Sequence, residues 1–304
     1  MNAPVLFIVF NRPDTTEKVF KAIRSAHPNK LFIAADGPRP DVPGETEKVK
    51  EVRRIVSEID WQCDVKTLFS DKNLGCQIGV RNAIDWFFEQ VEEGIILEDD
   101  CLPEPSFFSF AELMLERFRN DSRMMMVAGT NFLFGERKGR ESYFFSRYYA
   151  IWGWATWRRA WQNYERDWNK WENVSRNNVL KSLYHDEDIC RLYNKHFTAF
   201  DNHTVDTWDI PWTLTCMINY GLSIVPVNNL ISNIGITGVH YKGNSNKFIM
   251  MPVRGIDLDN LIHPETVFPD ADLDAITFRN LINKKPKVIK ALLKRIIKKS
   301  GLCS

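Results

Sequence analysis

The run Gly94-Ile95-Ile96-Leu97-Glu98-Asp99-Asp100 decides how the rest of the chain is read. Its first residues form a short, continuous apolar run, which suits a strand covered on both faces. The run ends abruptly on three carboxylates. Adjacent carboxylates repel one another, and holding them at the end of a buried strand is costly. A divalent cation removes that cost. Hard oxygen ligands suit Mg²⁺ or Mn²⁺, which keep open positions for substrate phosphates. Taken alone, the triplet also reads as a solvated acidic turn before Pro103.

Moving outward, similar apolar runs occur at 4–10 (PVLFIVF), 31–35 (LFIAA) and 65–69 (VKTLF). Segments of helical periodicity, 14–26, 45–59 and 77–91, lie between them; Asp14 after Pro13 starts the first, and Asp85, Phe88 and Val91 follow the spacing of an amphipathic helix. Strand-helix-strand repetition implies an α/β fold with parallel strands joined by right-handed crossovers. Such a sheet binds its ligand at the carboxyl ends of its strands. The residues expected there are Asn11-Arg12-Pro13, Asp36-Gly37-Pro38, Asp71 to Gly75, and the acidic triplet.

The pattern changes after residue 130. A strand-like run at 143–149 precedes WGWATWRRAWQNYERDWNKW, and a polar helix-prone stretch covers 176–200. A second strand-like run, SIVPV at 223–227, leads into NNLISNIGITGVHYKGN, and 246–283 reads as a mostly irregular extension. The chain thus divides into a domain over 1–245, with a nucleotide half to about 130 and an acceptor half from 131, the extension, and a basic amphipathic helix over 284–304.

The chain has 304 residues and 44% apolar composition, enough for a substantial core. Lys and Arg number 40 against 39 Asp and Glu, so no global charge points to nucleic acid. Residues 284–299 carry eight cations and no acid, which leaves about −7 on the rest. The six cysteines form no C-x-x-C pair and no zinc spacing, and free thiols in a reducing compartment are expected. The apolar run near the N-terminus is too short for a signal peptide or membrane span.

The ordered pieces VFNRP, AADGP, NLGCQIGVRNAI, ILEDDCLPEPSFFSF, WGWATWRRAW, TWDIPW and LISNIGITGVH span about 4–242. In these pieces the chain resembles GT-A glycosyltransferases, in particular the N-acetylglucosaminyltransferase I type family and related bacterial sugar transferases. The resemblance implies a GT-A (Rossmann-like), mostly parallel central sheet flanked by helices. It implies that Asn11, Arg12 and Asp36 hold the nucleoside, with Asp36 accepting the uracil imide N–H of a UDP-sugar. It gives Glu98 to the donor sugar, Asp99 to the ribose and Asp100 to the metal, Mn²⁺ or Mg²⁺. Arg81 would meet the diphosphate, or else stand as a surface arginine on its helix.

An inverting transferase needs one general base for the acceptor hydroxyl. The resemblance places it in Thr207-Trp208-Asp209-Ile210-Pro211-Trp212, with Asp209 the candidate and Asp206 the second; Ile210 stands where the family tends to carry another acid. Asp209 is also a plausible helix cap ahead of Pro211. The Gly-bearing segment 233–240 is expected to close over the diphosphate, with His240 a further metal ligand or phosphate contact.

Six of the ten tryptophans lie between 152 and 171, and Trp154, Trp157, Trp161, Tyr164, Trp168 and Trp171 follow steps of three and four, as on one helix face. Packing is expected of Trp157, Trp161 and Trp168, and acceptor contact of Trp154. Val288, Ile289, Leu292, Leu293, Ile296 and Ile297 among eight cations suggest an interfacial helix on anionic lipid. No aromatic residues interleave with those charges, which argues against nucleic acid.

The expected function is metal-dependent sugar transfer to a glycan or lipid-linked glycan in bacterial surface polysaccharide synthesis, by a cytoplasmic protein peripheral on the inner membrane face. A sugar nucleotidyltransferase and a non-catalytic carbohydrate-binding protein are the alternatives.

Overall fold

In the computed structural model of the chain, residues 1–136, 138–176, 178–184, 186–235 and 247–282 are described. In chain order the elements are β1 Val5–Val9, α1 Pro13–Ala26, β2 Lys30–Ala35, α2 Glu45–Val56, β3 Asp64–Phe69, α3 Gly75–Gln90 and β4 Glu93–Glu98. Then follow β5 Cys101–Pro103, α4 Ser106–Arg117, β6 Met124–Ala128, β7 Tyr143–Ser146, β8 Trp154–Trp157, α5 Arg158–Trp161 and α6 Asn169–Arg176. The last are α7 Val179–Tyr184, α8 Glu187–Asp201, α9 Asp209–Ile218, β9 Leu222–Pro226, β10 Ile231–Asn233 and α10 Ala271–Leu281.

The main sheet has eight strands in the order β3-β2-β1-β4-β8-β6-β9-β7. The pairings β2–β3, β1–β2, β1–β4 and β6–β9 are parallel, while β8 runs against β4 and β6, and β7 against β9. The sheet is therefore mostly parallel, as the alternating pattern of the first 130 residues requires. Helices cover both faces. Along β1 the side chains alternate between two cores: Val5, Phe7 and Val9 join α1, α2 and α4 residues, and Leu6 joins α3 and the tryptophans. A third core, with Tyr193, Phe197 and Leu214, unites α6 to α9.

Three expectations are corrected. The run at 65–69 is an edge strand, largely exposed rather than covered on both faces; its adjacent Lys66 and Thr67 put a polar side chain on each face. The extension is not irregular throughout, because α10 forms within it: Asp270 accepts the backbone N–H groups of Asp272 and Leu273, and Leu273 and Ile276 reach the core. The tryptophan steps do not trace one helix face. Trp154 and Trp157 lie on β8, on opposite sides of the sheet, and only then does the chain turn into α5. Steps of three also fit a four-residue strand running into a helix, which is why periodicity misled there. The basic helix expected over 284–304 lies outside the described residues.

The five described cysteines, Cys63, Cys76, Cys101, Cys190 and Cys216, are free thiols. Among the described residues no helix is long and apolar enough to cross a membrane.

Candidate active site

β4 is central in the sheet, and its last residue is Glu98. The chain then turns through Asp99 and Asp100 into β5, which pairs antiparallel with β10, Cys101 opposite Asn233. This small sheet delivers the glycine-bearing segment to the triplet. The amide of Ile234 donates to the Asp100 carbonyl at 2.8 Å, and a β-carbon at Gly235 would lie 2.5 Å from Asp100 Oδ2. The expected closing segment thus begins against Asp100. His240, the further candidate ligand, lies outside the described residues.

The three carboxylates differ. Asp99 is buried and accepts the Phe10 amide at 3.3 Å and Arg12 Nη1 at 3.1 Å. Asp100 accepts the same guanidinium nitrogen at 2.5 Å, and the Cys101 thiol lies at 3.5 Å. Glu98 accepts no hydrogen bond among the described residues. Burial, with the charges of Asp100 and Asp99 adding to it, pushes Glu98 up to about 8. Burial likewise raises Asp99 to about 7, against the pull of Arg12. Burial by itself would lower the Arg12 pKa, but Asp99 and Asp100 reverse the sign and hold it charged. One cation therefore faces three acids.

The strand-end residues on the nucleotide side sort differently from expectation. Asn11 Nδ2 donates to Glu45 at 2.7 Å, and Arg39 grips the same carboxylate through its Nε and Nη2 atoms and its amide. The Arg39 hydrogen bonds, opposed by burial, take Glu45 down to about 2. Glu45 is a site-edge residue the sequence did not reveal, since at the start of a polar helix it reads as a first-turn acid. Arg39 also lies 5.7 Å from the Phe10 ring centroid.

Asp36 lies at the end of β2 as expected, but its carboxylate is already engaged. It accepts the amides of Gly37, Leu74 and Gly75 at 2.8 to 3.1 Å and the Asn73 side chain at 3.0 Å. Burial raises its pKa, against the Leu74, Gly37 and Gly75 amides that favour the charged form. Its evident work is to fold the turn into α3. The imide-accepting role expected of Asp36 would have to displace part of that set.

Asp206 does the matching work from far along the chain. It accepts the Cys76 and Gln77 amides at 2.8 and 2.9 Å and so caps α3. Gly75 makes this possible: its φ is +79°, and a β-carbon there would lie 2.7 Å from Asp206 Oδ2. The second candidate base is thus committed to a helix end. Asp209 is not. It is the first residue of α9, its Oδ1 accepts the Thr207 hydroxyl, and its other oxygen accepts nothing among the described residues. It does not cap α9. It lies close enough to Glu98 to help raise that residue's pKa, so the structure brings the candidate base to the triplet.

Arg81 sits in the second turn of α3. Its Nη2 donates to Asn82 at 3.2 Å, and its Nε is buried without a partner, so it is not merely a surface arginine.

Trp154 is corrected outright. It is 1% exposed, stacks on Trp208 at 5.5 Å, and packs on Trp212 and Trp161. No face remains for a sugar. The residue before it explains the difference. Gly153 has φ +60°, and a β-carbon there would meet Ile231 Cδ1 at 2.4 Å. This left-handed residue breaks the strand alternation, sending Trp154 to one core and Trp152 to the other side.

A divalent ion would fit this site in one way only. Among the described residues no three His, Cys, Asp or Glu side chains are arranged to hold a metal by themselves. Asp100 could supply one or two oxygens, with substrate phosphates and water completing the shell, which is how Mg²⁺ is usually held. Arg12 would then give up its hydrogen bond to Asp100 and keep the one to Asp99.

The chain matches no protein-family profile and no curated protein sequence. Solved structures similar to it include HddC from Yersinia pseudotuberculosis (9% identity, 41% of this chain and 57% of that one, TM-score 0.28). Another is a UDP-glucose pyrophosphorylase complexed with UDP-glucose (10% identity, 54% of this chain and 79% of that one, TM-score 0.32). A third is the glycosyltransferase GlyE of Streptococcus pneumoniae TIGR4 (13% identity, 61% of this chain and 40% of that one, TM-score 0.29). The chain thus spans 57% of HddC and 40% of GlyE.

Proposed function

We propose that the chain is a metal-dependent, inverting glycosyltransferase that takes a nucleotide-sugar, a UDP-sugar on the present reading, and glycosylates a glycan or lipid-linked glycan. One observation carries the reading. Three carboxylates converge at the end of the central strand β4; among the described residues Arg12 is the ion-pair partner of Asp99 and Asp100, and the half-buried Glu98 side chain accepts no hydrogen bond. A half-buried acid held beside two others is favoured by a ligand that completes it. A donor sugar's hydroxyls supply what Glu98 lacks.

In this reading the nucleoside lies over Asn11 and Phe10, Asp99 accepts a ribose hydroxyl, and Arg12 and Arg81 face the diphosphate. A divalent ion at Asp100 would neutralise charge on the departing diphosphate. Asp209 takes the proton from the acceptor hydroxyl as its oxygen bonds to the anomeric carbon and the sugar–phosphate bond breaks. Thr207 holds that carboxylate in place. The basic segment 284–304 would seat the protein on the cytoplasmic face of an anionic membrane, near a lipid-linked acceptor.

The test is a panel of nucleotide sugars in thermal shift, with and without Mn²⁺. A UDP-sugar is expected to stabilise the protein only with metal, by about 2.7 kcal/mol at a hundred times its Kd. Asp100→Asn should abolish that metal dependence. No shift with any donor would sink the reading. Release of pyrophosphate rather than nucleoside diphosphate would reassign the chain to the sugar nucleotidyltransferases.

A further inference from the structure

A cluster of aromatic rings near the end of β4 is only partly taken up by the core, against which Trp152 packs, and not at all by the donor chemistry. Phe132 meets Trp152 edge-on at 5.9 Å and Phe248 at 5.3 Å, and Phe134 lies 5.7 Å from Phe248. Lys247 Nζ stands 5.2 Å from the centroids of both Phe134 and Phe248. Phe134 is 42% exposed and holds φ +50°, a conformation unfavourable for a bulky residue. Nothing in core packing accounts for an exposed phenyl ring held in this way. Strain of this kind persists where the surroundings impose it. They do so here, because the Asn280 side chain donates to the Phe132 carbonyl and Arg279 pairs with Glu136, so α10 braces the loop from behind.

The position of the cluster is fixed by backbone bonds. Gly129 donates to the Gly153 carbonyl and Thr130 Oγ1 to that of Trp152, tying the end of β6 to the start of β8. The Met250 amide donates to the carbonyl of Asn233, which pairs with Cys101 next to Asp100. β8 pairs antiparallel with β4 up to Ile96 and Trp154, and a β-carbon at Gly153 would lie 3.3 Å from Leu97 Cδ2, so the chain ahead of β8 runs beside the end of β4. Across the sheet, β2 and β1 bring the nucleotide-side residues, β4 brings the triplet, and β8 with β6 brings the aromatic rings.

We propose that Phe132, Phe134, Trp152 and Phe248 form the binding wall for the acceptor's sugar ring, an aldohexopyranose whose C–H face stacks on the exposed Phe134 while Lys247 meets its hydroxyls. The proposal rests on the donor reading for its word "acceptor". The order along the sheet supplies the reason: a sugar transferred at the triplet has the nucleoside on one side and the wall on the other. Flat apolar rings with one cation drawn over two of them offer a pyranose, apolar on its face and polar around its rim, both kinds of contact.

The experiment is saturation-transfer NMR on the full chain with methyl pyranosides of glucose, galactose, mannose and N-acetylglucosamine. At least one should show transfer, strongest at the ring C–H protons. Phe134→Ala should weaken its binding about five- to tenfold, and Phe134→Tyr, which keeps the aromatic face, should restore it. In turnover, Phe134→Ala should raise the acceptor KM more than it lowers kcat. No transfer to any pyranoside, or equal binding by Phe134→Ala, overturns the proposal. The two readings fail separately. If no UDP-sugar stabilises the protein but pyranosides bind and are lost in Phe134→Ala, the wall stands as a sugar site and the donor reading falls. If UDP-sugar is hydrolysed and Phe134→Ala binds pyranosides normally, the wall falls and the donor reading stands.

Discussion

Asp36 follows β2 and Glu98 ends β4, two strands apart in the same sheet with β1 between them, and both lie at its carboxyl edge. Asp36 accepts three backbone amides and a side-chain amide, all from its own turn and the turn into α3. Glu98 accepts nothing among the described residues, and burial beside Asp100 and Asp99 raises it to about 8. The first acid is finished by the protein. On the proposed function, the second is left for the donor sugar. Position at a strand end is therefore not enough to name a ligand-binding residue; the hydrogen bonds already spent on the backbone must be subtracted first.

The sharpest way to break this contrast is to neutralise each acid in turn. Glu98→Gln should lower turnover with a UDP-sugar by about 10²- to 10³-fold, as losing a group aimed at the reacting centre does. Its melting temperature should hold or rise, because the repulsion of Glu98 by Asp100 and Asp99 is removed. Wild-type turnover in this variant would end the contrast. Asp36→Ala should act the other way. It leaves several amides unpaired and is expected to cost about 2–4 kcal/mol in urea unfolding. If it folds normally but loses discrimination among nucleobases, Asp36 reads the base after all.

Asp206 and Asp209 extend the comparison at smaller scale. Asp206→Ala removes a long-range cap from α3 and should cost about 1 kcal/mol, with donor affinity little changed. A fall in turnover without any loss of stability would instead return Asp206 to the list of bases. The smallest effect is expected at Glu45, which Arg39 holds down at about 2. A depressed carboxylate stabilises the fold above its ordinary range near 4.3 and loses that contribution as pH falls through the folded value. Arg39 is 42% exposed, so solvent screens the pair. Glu45→Gln should thus cost about 1 kcal/mol or less at pH 7, and the difference from wild type should vanish between about pH 4 and pH 2. A difference that persisted at pH 2 would show that packing, not charge, is what Glu45 contributes.

Much of the first 130 residues was legible because their information is local. Apolar runs such as Val5–Val9 and Ile95–Leu97 are long enough to mark buried strands, and the polar residues after them had to fall at one edge. The later half was less legible. β8 is a four-residue strand that continues without a break into α5, so its tryptophans mimic a helical stripe. The left-handed Gly153, one residue upstream, decides which tryptophan is buried and which is not.

By itself, then, the sequence determined the layered α/β architecture, the strand that carries Glu98-Asp99-Asp100 and the closeness of the nucleotide-side turns, since all three follow from periodicity and connection rules. Only the tertiary structure decided which acids are spent. Asp206 reaches α3 across 130 positions of chain, and β10 brings Gly235 against Asp100 from as far away. Such contacts leave no periodic trace, because they are made between loops whose partners are chosen by the packing of the whole sheet. The same packing buries Trp154 and turns Trp152 toward the aromatic rings beside the site.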